Sequence, residues 1–121
     1  MNHFYRLNQC YIIAEIGVNH NGDLKLAIKM IDEAKKAGAN AVKFQTFTAE
    51  SLVSRGTPKV RYQKSTTSPD ESHFEMIKKL ELRPDDHYKL MDYCEKIEID
   101  FLSTPYDIES AKLLDKLIRI G

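Results

Sequence analysis

The amino-acid sequence predicts an α/β fold made of parallel βα units, and three observations carry that expectation. The hydrophobic period switches repeatedly between short strand-like runs and helical stripes, the signature of strands alternating with helices. The first strand-like run is nearly continuous in apolar residues, as a strand covered on both faces requires. Each run also ends in polar residues, where parallel α/β folds carry their functional side chains. With 121 residues, 42% of them hydrophobic, the chain amounts to one soluble domain or part of a larger one. It can bury roughly 65% of its unfolded surface, but a complete barrel of ~250 residues does not fit.

The elements follow in order. Tyr11 to Gly17 reads as strand one. Asp23 is an N-cap for a helix whose apolar positions Leu24, Ala27, Ile28, Ile31 and Ala34 recur at helical spacing, and Gly38 follows as its C′ residue. Ala41 to Gln45 then reads as strand two of a right-handed βαβ crossover. From Thr46 to Pro69 no period persists, and Gly56-Thr57-Pro58 and Ser65 to Pro69 are turn-rich, so a long loop is expected. A short helix from Asp70 to Leu80 follows. Pro84 opens a longer helix at its first position, running to Ile97 with Leu90, Met91, Cys94 and Ile97 on one face. Asp100 to Thr104 reads as strand three, stopped by Pro105. Ile108 to Leu117 is amphipathic, and Ile118 to Gly121 is expected to begin a fourth strand.

Composition narrows the function classes. Eighteen basic and eighteen acidic residues are interleaved and leave a net charge of zero, which gives no field for a polyanion, so neither nucleic acid nor a membrane surface is an expected partner. No apolar stretch near the start is long enough for a signal sequence or a membrane span, and a cytoplasmic location is expected. Cys10 and Cys94 lie far apart in no metal-type spacing and read as reduced thiols. His3, His20, His73 and His87 are scattered, so no complete metal site is expected from this chain.

The candidate functional residues lie at the strand ends. Strand one carries Glu15 and runs into Asn19-His20-Asn21-Gly22; strand two ends in Lys43, Gln45 and Thr46; strand three ends in Ser103, Thr104 and Asp107. An ionisable group inside an apolar strand costs several kcal/mol unless it is paired or borders a wet cavity. Glu15 and Lys43 therefore read either as a buried ion pair or as a carboxylate that orients or deprotonates a substrate hydroxyl beside an ammonium that neutralises phosphate or carboxylate. The Asn19-His20-Asn21 turn lies before a helix N-terminus, a place suited to anions or sugar hydroxyls, although Asn-Gly is also an ordinary turn pair. Thr104, before Pro105, is placed for a phosphate-oxygen contact or a plain strand end. Tyr62 and Gln63, in the long loop, either line a site or decorate a turn.

Taken together, Ala14-Glu15-Ile16-Gly17-Val18-Asn19-His20-Asn21-Gly22-Asp23, Ala41-Val42-Lys43-Phe44-Gln45-Thr46 and Phe101-Leu102-Ser103-Thr104-Pro105-Tyr106-Asp107 resemble the first third of the sialic acid synthase family. That family includes N-acetylneuraminate, legionaminate and pseudaminate synthases, and the first motif is more similar to the former two branches. The resemblance implies a TIM-type (β/α)₈ barrel of which residues 1–121 would supply the first three to four units. It implies condensation of phosphoenolpyruvate with an N-acetylated hexosamine such as N-acetylmannosamine, giving a nonulosonic acid and phosphate. Mn²⁺ or Mg²⁺ is the implied cofactor, with ligands on later strands, and a homodimer the implied assembly. By the same resemblance Glu15 matches the acidic residue facing the acceptor sugar, Lys43 and Gln45 match residues where the two substrates meet, and Thr104 matches a phosphate-side hydroxyl. Asn19, His20 and Asn21 match the motif and read as substrate-binding.

The chain departs from the family where a Lys-Ile-(Gly or Ala)-Ser motif belongs on the fourth strand and Arg119-Ile120-Gly121 stands instead. The later strands and an antifreeze-like C-terminal domain lie outside the sequence, so a truncated and inactive piece of a synthase is expected. Two alternatives stand beside it: a non-catalytic half-barrel that binds or assembles, and another phosphate-handling barrel enzyme such as an aldolase.

Overall fold

The computed structural model describes residues 8–53 and 72–120, with only the backbone described at 119 and 120. Strands β1 (Ile13–Gly17), β2 (Ala41–Thr46) and β3 (Asp100–Pro105) form one parallel sheet in the order β1-β2-β3. Helix α1 (Leu24–Lys36) makes the crossover from β1 to β2. Between β2 and β3 lie α2 (Ala49–Leu52), α3 (His73–Leu80) and α4 (Pro84–Ile97), and α5 (Ile108–Ile120) follows β3. These are parallel βα units of the kind that a (β/α)₈ barrel repeats.

The helix boundaries have local causes. Asp23 caps α1, its carboxylate accepting from the N–H groups of Lys25 at 2.9 Å and Leu26 at 3.3 Å. Gly38 ends it with φ +91°, a left-handed conformation that glycine adopts without strain. At α3, Ser72 and Glu75 form a reciprocal capping box, and Pro84 occupies the first turn of α4.

Helices α1 and α4 pack against each other and lie over one face of the sheet. Their stripes meet Ile16, Val42 and Phe44 in a core that includes Ile31, Leu90, Cys94 and Ile99. Tyr93 donates a hydrogen bond to Asp32, and the Lys35 ammonium donates to the Glu98 carbonyl at 2.7 Å, tying the two helices side by side. Cys94 is buried in this core, which pushes its thiol up to about 12, whereas Cys10 is exposed; both are free.

Four expectations are corrected. The sheet is covered on one face rather than both among the described residues: Ile13 is 42% exposed, and Glu15 is also exposed. The long irregular stretch begins later than expected, because Thr46 still pairs in β2 and Ala49–Leu52 forms a helical turn. Helix α3 begins at His73; Tyr62, Gln63 and the turn-rich segments at 56–58 and 65–69 lie outside the described residues. Finally, Ile118 to Ile120 continues α5 instead of opening a fourth strand. The reason is local: Leu113, Leu114 and Leu117 keep helical spacing, and no Gly or Pro interrupts the run before Gly121. Arg119 therefore lies on a helix and takes no fourth-strand position.

Candidate active site

The pleat sends alternate side chains to opposite faces, and this decides which strand-end residues meet. In β2, Val42, Phe44 and Thr46 turn toward the helices and are buried, while Lys43 and Gln45 face away and are half-buried. Parallel register places Glu15 opposite Lys43, Lys43 opposite Leu102, and Gln45 opposite Thr104. Glu15, Lys43, Gln45 and Thr104 thus share the open face, toward the carboxyl ends of the strands. The sequence singled out all four, and the structure brings them together.

Lys43 Nζ lies 3.1 Å from Glu15 Oε2, with the two side chains 38% and 49% exposed. The pair forms as the sequence allows, but it is not buried. A half-exposed pair is worth about 0–1 kcal/mol, too little to explain two ionisable groups on an apolar strand by stability alone. A bulge in the β1 register at Glu15/Gly17 and a φ of +57° at Gly17 shape the ground beside it. A Cβ at Gly17 would sit 3.4 Å from Glu15 Oε1 and 3.5 Å from Gln45 Nε2, so the carboxylate and the amide both lean over this bare backbone. Beyond Gln45, Val18, Phe47, Leu52 and Tyr106 help line an apolar cleft of about 90 Å³.

The turn after β1 does not act as a unit. Asn19 and Asn21 are exposed, whereas His20 is turned inward and fully buried against Phe44, with ring centroids 5.9 Å apart. The Gly22 N–H donates to His20 Nδ1 at 2.9 Å. Its Nε2 makes no hydrogen bond of good geometry among the described residues, though the Gly17 carbonyl is near enough to favour its charged form. Burial outweighs that carbonyl and lowers the imidazole pKa. His20 therefore fixes the turn from inside and is not presented to the open face.

Sequence reasoning missed His87. It is fully buried on α4, with Nε2 2.8 Å from Thr46 Oγ1 and Nδ1 2.8 Å from the Arg83 carbonyl; Thr46 Oγ1 in turn lies 2.6 Å from Ser103 Oγ. The available signal was a histidine at a position of α4 one turn before Leu90, on the same apolar stripe. Asp107 also has a defined task. Its carboxylate accepts from Ser110 N–H at 2.7 Å and Thr48 N–H at 3.1 Å, linking the start of α5 to the loop after β2. Burial pushes its pKa up, but these hydrogen bonds prevail and hold it below the ordinary value.

Among the described residues no group of three or more His, Cys, Asp or Glu could hold a metal ion. The Glu15 carboxylate, beside Lys43 on the open face, does not by itself amount to a site for the divalent ion implied by the resemblance.

Comparison with known proteins decides the family. A model described as the NeuB family matches residues 30–120. The chain belongs to the NeuB family. Two curated relatives are N,N'-diacetyllegionaminic acid synthases. That of Legionella pneumophila is 47% identical over 112 residues, covering 93% of this chain and 31% of the relative. That of Campylobacter jejuni is 49% identical over 111 residues, covering 92% and 33%. Among solved structures, an N-acetylneuraminic acid (sialic acid) synthetase from Leptospira borgpetersenii superposes with a TM-score of 0.71 at 33% identity, over 88% of this chain and 33% of that one. The chain thus spans about a third of the length of the relatives it matches.

Proposed function

We propose that this chain supplies the first part of the active face of a nonulosonic acid synthase, which joins phosphoenolpyruvate to an N-acetylated hexosamine. The observation that carries the reading is the Glu15–Lys43 pair at 3.1 Å, level with Gln45 and Thr104 on the open face of the sheet. In the reaction, C3 of phosphoenolpyruvate attacks the aldehyde carbon of the open-chain sugar, water adds to the electron-poor C2, and phosphate leaves.

Each residue has a task in that scheme. The Lys43 ammonium neutralises the phosphate or carboxylate of phosphoenolpyruvate. Glu15, held beside it, orients a sugar hydroxyl or accepts its proton. The Gln45 amide, between Lys43 and the apolar cleft, bridges the two substrates, and the cleft suits the methyl of an acetamido group. The Thr104 hydroxyl donates to a phosphate oxygen. The described residues offer Mn²⁺ or Mg²⁺ no ligand set, and none of these tasks passes through the ion. The relatives named as legionaminic and sialic acid synthases support this substrate class.

The test is phosphate release by the native protein carrying this sequence, supplied with phosphoenolpyruvate, N-acetylmannosamine or its diacetamido counterpart, and Mn²⁺. Release that requires both substrates is expected. A folded native protein that binds the sugar but releases no phosphate would instead favour a non-catalytic binding module.

A further inference from the structure

We propose that Ser103, Thr46 and His87 form a positioning chain behind the sheet that aligns Gln45 and Thr104 on the open face. The inference rests on the synthase reading of that face and assigns it three residues that touch no substrate.

The hydrogen-bond directions follow from the acceptors. The Arg83 carbonyl can only accept, so the contact at 2.8 Å requires the proton on His87 Nδ1. In a neutral imidazole Nε2 is then an acceptor, and the Thr46 hydroxyl donates to it at 2.8 Å. With its proton committed, Thr46 Oγ1 accepts from the Ser103 hydroxyl at 2.6 Å. The chain runs one way, from Ser103 through Thr46 and His87 to the backbone of α4, and it is satisfied at every link.

Its position gives it a consequence. Thr46 directly follows Gln45, and Ser103 directly precedes Thr104, so each hydroxyl points behind the sheet while its neighbour points into the site. Gln45 and Thr104 are register partners. Thr46 is 2% exposed and His87 fully buried, so the bond between them is shielded from water, while Ser103 at the end of the chain is half-buried. The chain therefore locks the carboxyl ends of β2 and β3 to each other and to α4. A shift of one strand end would displace Gln45 relative to Thr104, the two groups assigned to adjoining parts of the substrates.

The experiment compares Thr46→Val, which keeps the shape and removes the hydroxyl, with Thr46→Ser, which keeps the hydroxyl, in the native protein carrying this sequence. The readouts are kcat and KM per folded molecule, with the folded fraction measured alongside, and the ¹⁵N shift that reports the hydrogen bond accepted by His87 Nε2. For Thr46→Val we expect kcat to fall ~10- to 100-fold, the scale of a misplacement in the reacting geometry, with a shift of the His87 Nε2 resonance as it loses its donor while the proton stays on Nδ1 facing the Arg83 carbonyl. Thr46→Ser is expected to restore both. If Thr46→Val fails to fold, Ser103→Ala, at the far end of the chain, carries the same expectation at smaller size. An unchanged kcat per folded molecule in the valine and alanine variants, with only thermal stability lowered, would overturn the positioning role. A wild-type protein that releases no phosphate would overturn the synthase reading itself, and the positioning role with it.

Discussion

Lys43 Nζ stands 3.1 Å from Glu15 Oε2 across the β1–β2 register, on the face of the sheet that no described helix covers. Because both side chains are more than a third exposed, the contact adds little to the stability of the fold. Lys43→Ala is therefore expected to shift the unfolding free energy by less than about 1 kcal/mol while lowering synthesis by at least ~100-fold. Urea unfolding and steady-state kinetics on the native protein check the two halves separately. A large stability loss would make the pair structural, and wild-type turnover would remove Lys43 from the chemistry.

Two glycines of left-handed conformation separate strain from collision. Gly38 has φ +91° and open space around the place of a Cβ, whereas at Gly22, with φ +74°, a Cβ would fall 2.1 Å from the Lys79 carbonyl oxygen. Gly38→Ala is expected to cost about 1–2 kcal/mol from backbone strain alone. Gly22→Ala should cost at least about 3 kcal/mol, since the turn after β1 must part from the end of α3. Equal losses in chemical denaturation would mean that the turn and α3 do not pack as described.

The core on the helix side makes a similar contrast. Ile31 is fully buried beneath α4 and the sheet, while Ile108 is 75% exposed. Ile31→Ala is expected to cost about 2–5 kcal/mol and Ile108→Ala less than about 0.5 kcal/mol, read from urea midpoints.

The two buried histidines make stability depend on pH. Burial holds both His20 and His87 below the ordinary imidazole value of 6.5, against the nearby Gly17 and Arg83 carbonyls and the Asp86 carboxylate, which favour the charged form; His87 in turn disfavours charge on His20. As pH falls through 6.5, the unfolded chain therefore takes up protons that the native chain refuses. Their contribution is complete above that value and is lost progressively below it. Protonation of native His87 would remove the acceptor for Thr46, but it begins only below the lowered value of that ring, so the positioning chain holds past the onset of the stability loss and fails at lower pH. Urea midpoints measured from about pH 7.5 to pH 5 should fall, and His87→Gln should flatten part of the slope. A flat wild-type profile would show that neither ring is held neutral.

Much of this architecture was legible in the sequence because each signal was local. The Asp23 cap, the Gly38 stop and Pro84 at the head of α4 fix boundaries through neighbouring residues, and the structure places them as expected. Lys43, Gln45 and Thr46 were legible as strand-end residues, and the burial pattern of β2 then separates Lys43 and Gln45 from Thr46. What could not be read depends on contacts distant in sequence. His87 meets Thr46 across 41 residues, and nothing near either one announces the other. His20 shares a motif with Asn19 and Asn21, yet the turn sends it into the core, since burial is decided by Phe44 on the neighbouring strand. The expected fourth strand failed for a different reason: Ile118 to Ile120 is apolar enough for either state, and the helix before it contains no stop.

If the open face around Glu15 and Lys43 serves carbon–carbon bond formation, as proposed, C3 of phosphoenolpyruvate must end up in the carbon chain of the product. The most direct test supplies the native protein with phosphoenolpyruvate labelled with ¹³C at C3, an N-acetylated mannosamine and Mn²⁺, and follows the label by NMR. The label is expected in the methylene carbon of a nine-carbon 2-keto acid, and Lys43→Ala is expected to abolish this signal. Label recovered only in pyruvate would show hydrolysis without condensation and would contradict the proposal.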